Sequence, residues 1–370
     1  MEANEYKLTI PAHPSIYDPK PREMEVFFCE PGAGINEETG LLLFIPGFGA
    51  HAESKVYKKM KRYFADKYNL VTVQCNYFGY EFMQNPDNVS YVFNLKTLKS
   101  IFKESELSQI CTDGALDFDK LVEIGQNYKI RIEGREVLSE NLANFNDMGV
   151  MQAVDCLTAV LVVTELIRDN GYDFNKGKVI AYGHSHGSFI AHLCNVFCPG
   201  LFTLIIDNSA WLLPEYLIKE RHVMFTKGLM HFDVVFSYLA MSIDMDLEIR
   251  NLEFLYRGFG NRAKIICYQG DSDKLVDPVK KRNLISGLEN TVFVKVDESM
   301  LDGKRFRSTG HGLDADFLAL LEHSLESFFP GFRRRAEIPM DETVIETPRA
   351  RYHFTYNTGV PVLEMKNISF

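Results

Sequence analysis

Hydrophobic residues in this chain follow two recurring rhythms. Short runs, unbroken or alternating with polar residues, predict strands, and stretches with apolar positions three and four apart predict helices. Tyr6 to Ile10 and Met24 to Glu30 read as two early strands joined by a turn at Pro19-Lys20-Pro21. Leu41 to Ile45 is apolar throughout, the pattern of a strand covered on both faces. Ser54 to Tyr68 follows as an amphipathic helix, with Val56, Met60, Tyr63 and Phe64 on one side and lysines on the other. Leu70 to Tyr77 is the next strand. A long helix then runs from a cap at Asn146 through Val150, Val154, Leu157, Leu161 and Leu166 to a stop at Gly171. Strands follow at Val179 to Tyr182, Phe202 to Asp207, Lys264 to Gln269 and Thr291 to Val296, with helices at Pro278 to Leu288 and Ala315 to Phe329. Such alternation predicts an α/β fold, a mostly parallel central sheet with helices on both faces. In such sheets a ligand sits at the carboxyl ends of the strands.

Three stretches break the alternation within what otherwise reads as a single domain, 1–370. Residues 79–143 form a long insertion, with a hairpin expected around Lys129 to Arg135. Residues 211–262, rich in Met, Phe, Tyr and Leu, begin just after a strand end and read as a helical cap, or lid, over the site. Residues 330–370 hold two strand-like runs, Ala350 to Tyr356 and Val360 to Met365, around a turn at Asn357-Thr358-Gly359. They read as a C-terminal β-hairpin extension.

Composition narrows the function classes. The 370 residues suffice for a full core, and 46% hydrophobic with 24% charged residues is the make-up of a soluble globular protein. A formal net charge of −10 provides no field to attract nucleic acid or an anionic membrane. The one basic cluster, Arg333-Arg334-Arg335, reads as a solvated patch. Met1 to Pro14 holds no signal-like apolar segment, and Cys156 to Ile167 is short for a bilayer and interrupted by Thr158, Thr164 and Glu165. No membrane insertion is expected. The seven cysteines show no CxxC spacing, which points to reduced thiols in a cytoplasmic protein.

Against that background one pentapeptide stands out. Gly183-His184-Ser185-His186-Gly187 lies between a buried strand and a helix with Phe189, Ile190, Leu193, Val196 and Phe197 at helical spacing. Strand, tight turn with a central serine, then helix is the nucleophile-elbow arrangement, whose glycines let neighbouring chain segments approach. A serine hydroxyl needs a positioned base, and in this arrangement the partners follow in the order serine, acid, histidine. After the strand ending at Gln269 comes Gly270-Asp271-Ser272-Asp273, which makes Asp273 the acid. Asp271 and Asp277 read more simply as a turn residue and a helix cap. Asp207, at the preceding strand end, is the distinct alternative acid. His311, between Gly310 and Gly312 and just before the last helix, is the base; His323 and His353 lie in a helix and in the tail.

A tetrahedral intermediate also requires amide donors for its oxyanion. The N–H of His186, the residue after the nucleophile, is one candidate, and the N–H of Phe48 in Pro46-Gly47-Phe48-Gly49 is the other. Competing signals are incomplete. His184 and His186 have no third ligand in sequence, so no metal is expected. Gly32-Ala33-Gly34 lacks the rest of a dinucleotide fingerprint, so no cofactor is expected.

With these motifs in place, Leu41 to Phe329 resembles the α/β-hydrolase superfamily. Ile45 to Gly49, Ala181 to Ser188 and Ile205 to Ser209 together resemble a bacterial family recorded as a domain of unknown function, whose members often lie near flagellin-glycosylation genes. The resemblance implies a small-molecule acyl ester or acylated sugar as substrate. The expected function is a serine hydrolase, a carboxylesterase or carbohydrate O-deacylase. The alternative is a non-catalytic binding or accessory protein on a hydrolase scaffold in a flagellar or surface glycan pathway. A peptidase or acyltransferase would use the same three residues.

Overall fold

The computed structural model describes residues 2–83, 89–92, 94–112, 115–136, 138–328 and 332–368. The chain divides into two compact units. One comprises Met1–Met83, Leu142–Pro214 and Met245–Phe370; the other comprises Gln84–Asn141 and Glu215–Asp244.

The larger unit is built on an eight-stranded sheet. Its strands are β1 (Asn4–Ala12), β2 (Arg22–Glu30), β3 (Gly40–Ile45), β4 (Leu70–Asn76), β5 (Val179–His184), β6 (Leu204–Asn208), β7 (Lys264–Gly270) and β8 (Thr291–Val296). Their order across the sheet is β1-β2-β4-β3-β5-β6-β7-β8. The pairs β1–β2 and β2–β4 are antiparallel, and every other pair is parallel. The longer helices of this unit, among the described residues, are α1 (Lys55–Tyr68), α2 (Val150–Asp169), α3 (His186–Phe197), α4 (Pro278–Ser286) and α5 (Phe317–Phe328). The period of two along each strand sorts the core into layers. Leu42, Phe44, Ile180, Tyr182, Leu204 and Ile206 pack with Tyr57, Met60 and Phe64 of α1 and with Leu320 and Leu321 of α5. Leu41, Leu43, Val179 and Ala181, at the intervening positions, are also buried, as expected of strands covered on both sides.

Several local details depart from the sequence reading. In α1 the buried stripe is Tyr57, Met60, Phe64 and Ala65, while Val56 is exposed. Lys61 joins that stripe, its ammonium 5.2 Å from the centre of the Phe27 ring, and burial lowers its pKa. Asn146 does not cap α2. The Asp147 carboxylate takes the amides of Gly149 at 3.2 Å and Met151 at 2.9 Å, while Asn146 accepts from Met148 and from Gln152. By length and composition α2 would cross a membrane, but here it is a core helix packed against β3, β4 and α3. The ends proposed at Phe329 and Pro330 lie outside the described residues.

In the tail, Ala350–Thr355 pairs antiparallel with Val362–Asn367, and a third strand, Thr343–Glu346, adds to the first. Phe354 stacks on Phe197 of α3 with ring centres 4.3 Å apart, and the Tyr356 hydroxyl donates to the Phe197 carbonyl at 2.7 Å. The arginine cluster is not bare: Arg334 pairs with Glu37 and Asp173.

The smaller unit joins the two long stretches that broke the alternation. Its four-stranded sheet runs Arg221–Lys227, Met230–Phe236, Arg131–Glu136, Val89–Val92. The stretch 211–262 is therefore not mainly helical as expected: its centre is a β-hairpin, and residues 211–214 and 245–262 belong to the larger unit. No local hairpin forms at Lys129 to Arg135 either. Arg131–Glu136 runs parallel to Met230–Phe236 and antiparallel to Val89–Val92. Its buried positions are Ile132, Gly134 and Glu136, and the residues of such a strand do not themselves say which distant segment it pairs with.

Candidate active site

The site is assembled at the carboxyl ends of β5, β6 and β7. β5 ends at His184, α3 begins at His186, and Ser185 between them holds φ 54° and ψ −116°. That region is costly for a residue with a side chain, so surrounding structure must impose it. The Ser185 amide donates to the Asn208 carbonyl at 2.7 Å, tying the turn to the end of β6. A Cβ on Gly183 would lie 2.3 Å from the Ser188 nitrogen, and one on Gly187 would lie 2.0 Å from the Ile45 carbonyl oxygen. Backbone sits on both sides, so neither contact can relax by a rotamer change. Gly187→Ala should therefore lose soluble folded protein or lower the melting temperature by several degrees, read by thermal unfolding; a wild-type transition would contradict this packing.

From Ser185 a hydrogen-bonded chain runs inward. The hydroxyl lies 2.6 Å from His311 Nε2, and His311 Nδ1 lies 2.9 Å from Asp273 Oδ2. A carboxylate only accepts, so Nδ1 carries the proton and Nε2 offers a lone pair to the hydroxyl. Burial alone would raise the Asp273 pKa. His311, the Leu275 amide at 2.8 Å and the Gln269 amide at 2.7 Å together hold it below the usual carboxylate range. The three residues come from β5, the β7 loop and the loop before α5. The helix cap expected of Asp277 is present, its carboxylate accepting from Val279 and Lys280.

Asp207 lies outside this chain. It is fully buried, accepts from His192 Nε2 at 2.9 Å and from Lys281 Nζ at 2.7 Å, and receives the Ala210 amide at 2.7 Å. Burial would raise its pKa, but Lys281 and His192 hold it well below the carboxylate range. Strand-end placement alone could not separate Asp207 from Asp273. What separates them is the neighbouring cation, which the sequence places 74 residues away on α4.

The two candidate oxyanion donors lie on adjoining segments. His186 opens α3, and the loop from Ile45 to Gly47 passes directly against Gly187. The Phe48 ring contacts those of His186 and Trp211, with centres 4.9 and 5.3 Å apart. His186 Nε2 lies 2.7 Å from Gln152 Oε1. Gln152 spends its amide nitrogen on the Phe78 carbonyl and on Asn146, so its oxygen must accept and His186 Nε2 must be the protonated nitrogen. Burial lowers the His186 pKa to about 3, and burial with the nearby His311 lowers that of His184 to about 4. Both stay neutral, whereas unfolded histidine titrates near 6.5. Protons thus bind preferentially to the unfolded chain, and stability falls as pH drops below about 6.5. Each histidine accounts for about 2 kcal/mol of the loss at pH near 5. His186→Gln should reduce the loss of unfolding free energy between pH 7 and 5 by about that amount in urea titrations; an unchanged loss would contradict it.

Gln269, Gln152, Ser209 and Lys281 all support the site, and none carried a sequence signal. Gln152, Ser209 and Lys281 act through partners remote in the chain, and Gln269 through Asp273, four residues on. Among the described residues no group of His, Cys, Asp and Glu is placed to hold a metal ion.

Sheet order and elbow together make this an α/β-hydrolase fold. No curated protein matches the chain. Among solved structures it is similar to Est1E from Butyrivibrio proteoclasticus with ferulic acid bound, at 13% identity and a TM-score of 0.41, covering 83% of this chain and 94% of that one. Thermogutta terrifontis esterase 2 phosphonylated by cyclosarin is similar at 12% identity and a TM-score of 0.40, over 82% of this chain and 87% of that one. An alpha-beta serine hydrolase homologue from Coxiella burnetii is similar at 12% identity and a TM-score of 0.35, over 80% and 90% of the two chains. A sequence model described as protein of unknown function (DUF2920) matches residues 34–365, nearly the whole length, and the chain belongs to that family.

Proposed function

We propose that this protein is a serine hydrolase that cleaves carboxylic esters through an acyl-enzyme on Ser185. The observation that carries the reading is the continuous chain from the Ser185 hydroxyl through His311 to Asp273, at 2.6 and 2.9 Å. These are the distances at which a base removes a hydroxyl proton. Ser185 Oγ attacks the acyl carbonyl while His311 Nε2 takes its proton. Asp273 fixes the tautomer of His311 and stabilises the imidazolium that forms. The amides of Phe48 and His186 receive the oxyanion, each worth roughly 3 kcal/mol of barrier. Collapse expels the alcohol, which takes the proton from His311. Water then attacks the acyl carbon as His311 Nε2 takes its proton, and the second collapse breaks the bond to Ser185 Oγ, which takes that proton back from His311 as the acid leaves.

The finer reading is a carboxylesterase or carbohydrate O-deacylase, with O-acylated sugars as the substrate class. The segments Ile45 to Gly49, Ala181 to Ser188 and Ile205 to Ser209, and the glycan context they imply, support the sugar half of it. A cytoplasmic location belongs to the same proposal, supported by seven cysteines that are all unbridged. A panel of p-nitrophenyl esters and O-acetylated sugars, assayed with wild type and Ser185→Ala, tests it. Release of acid by wild type alone is expected. Equal rates for the two proteins, or no release from any member, would favour the non-catalytic alternative.

A further inference from the structure

The tripeptide Asp207-Asn208-Ser209 has no place in the proton relay, yet it is fully buried and bonded at every position. Asp207 anchors the end of β6 to the Ala210 amide, to His192 on α3 and to Lys281 on α4. Lys281 also donates to the Ala210 carbonyl at 3.0 Å, closing that corner. The Asn208 carbonyl takes the Ser185 amide, and the Asn208 amide donates to the Ser188 hydroxyl at 2.9 Å, so this residue grips the elbow. Ser209 faces the other way. Its amide donates to the Tyr268 carbonyl, its hydroxyl donates to Asn208 Oδ1 at 3.2 Å, and its oxygen accepts the Gly312 amide at 3.1 Å.

Gly312 immediately follows His311, and the backbone there needs holding. Gly312, Leu313 and Asp314 have φ values of 73°, 63° and 42°. Three consecutive residues in the left-handed region form a strained segment that persists only when contacts impose it. Within the loop, the Leu313 amide donates to the Gly310 carbonyl, and the Leu313 carbonyl accepts from the Arg307 and Ser308 amides. The His184 ring packs beside Gly312, its Nε2 2.6 Å from where a Cβ would stand, and Ser209, itself at φ 62°, holds the Gly312 amide from outside the loop. One short piece of chain thus binds the nucleophile turn through Asn208 and the base loop through Ser209.

On these grounds we infer that Asp207-Asn208-Ser209 is a clamp that sets the separation of Ser185 and His311, with Ser209 as a positioning residue for the base. The inference rests on the serine-hydrolase reading and adds a residue that touches neither substrate nor reacting atoms.

Two variants test it. Ser209→Gly removes the hydroxyl and also relieves the positive φ, whereas Ser209→Ala removes the hydroxyl and keeps the strain. Both should lower kcat on p-nitrophenyl acetate by about tenfold to a hundredfold, with KM within about twofold, because small misplacement of a base costs rate rather than binding. Fluorophosphonate labelling of Ser185 should slow by a similar factor. The glycine variant should melt no lower than wild type, an outcome that a purely structural role for Ser209 does not give. Hydrogen exchange at the Gly312 amide, which needs no turnover, should speed at least about tenfold in both variants. Wild-type kcat and labelling rate in Ser209→Gly, or wild-type exchange at Gly312, overturn the clamp. If wild type itself is not labelled, the serine-hydrolase reading falls separately, and exchange at Gly312 then decides the clamp alone.

Discussion

Replacement of His311 by alanine should lower ester turnover by about four orders of magnitude while leaving the thermal transition within a few degrees of wild type. The size of the effect follows from the chemistry. A serine hydroxyl is a weak nucleophile at neutral pH, and within the relay its proton has His311 Nε2 as its acceptor, 2.6 Å away. Without the imidazole, attack must proceed with water as the base, and the leaving alcohol loses its proton donor. The small stability effect follows from position. The His311 side chain is 18% exposed, and among the described residues its ring nitrogens bond to Ser185 and Asp273. Because the residues act as a unit, Ser185→Ala and the double variant should be about as inactive as His311→Ala. Steady-state rates on p-nitrophenyl acetate check this. A loss under about tenfold would mean that another group serves as base.

The second large effect concerns stability. Lys281→Met should destabilise the fold by about 3–5 kcal/mol, because it leaves the Asp207 carboxylate buried without its cation. Both side chains are wholly inaccessible, with Nζ and Oδ2 2.7 Å apart. Of the remaining partners, the Ala210 amide is neutral, and burial lowers the His192 pKa and so favours its neutral ring. Exposed pairs such as Arg262–Asp341 are worth far less, since water already screens both ions. Urea unfolding of Lys281→Met beside Arg262→Met should therefore separate widely, with the surface variant within about 1 kcal/mol of wild type. Equal midpoints would contradict the role given to the buried pair.

Much of the site was legible because its signals are local. Gly183 to Gly187 between a strand and a helix marks an elbow, and Asp273 and His311 each follow the carboxyl end of a core strand, where the β-sheet delivers them to one edge. The supporting residues were not legible. Gln269 is one more polar residue at a strand end until the fold brings its amide to Asp273, and Ser209 matters only because Gly312 arrives beside it. Fold details failed in a similar way. Val56 and Tyr57 are both apolar, so a stripe drawn from α1 alone slips by one residue. Asn146 and Asp147 are both capping residues, and the packing of α2 decides between them. The strand Arg131–Glu136 finds its parallel partner about a hundred residues onward, beyond any hairpin rule.

One measurement tests the central claim most directly. Folded protein is incubated with a fluorophosphonate, digested, and mapped by mass spectrometry, with Ser185→Ala and heat-denatured protein alongside. A single phosphonylated site at Ser185 in the native protein, absent from both controls, is the outcome that a relay from Ser185 through His311 to Asp273 requires. Native protein in which Ser185 stays unmodified under conditions that saturate a known serine esterase would contradict it.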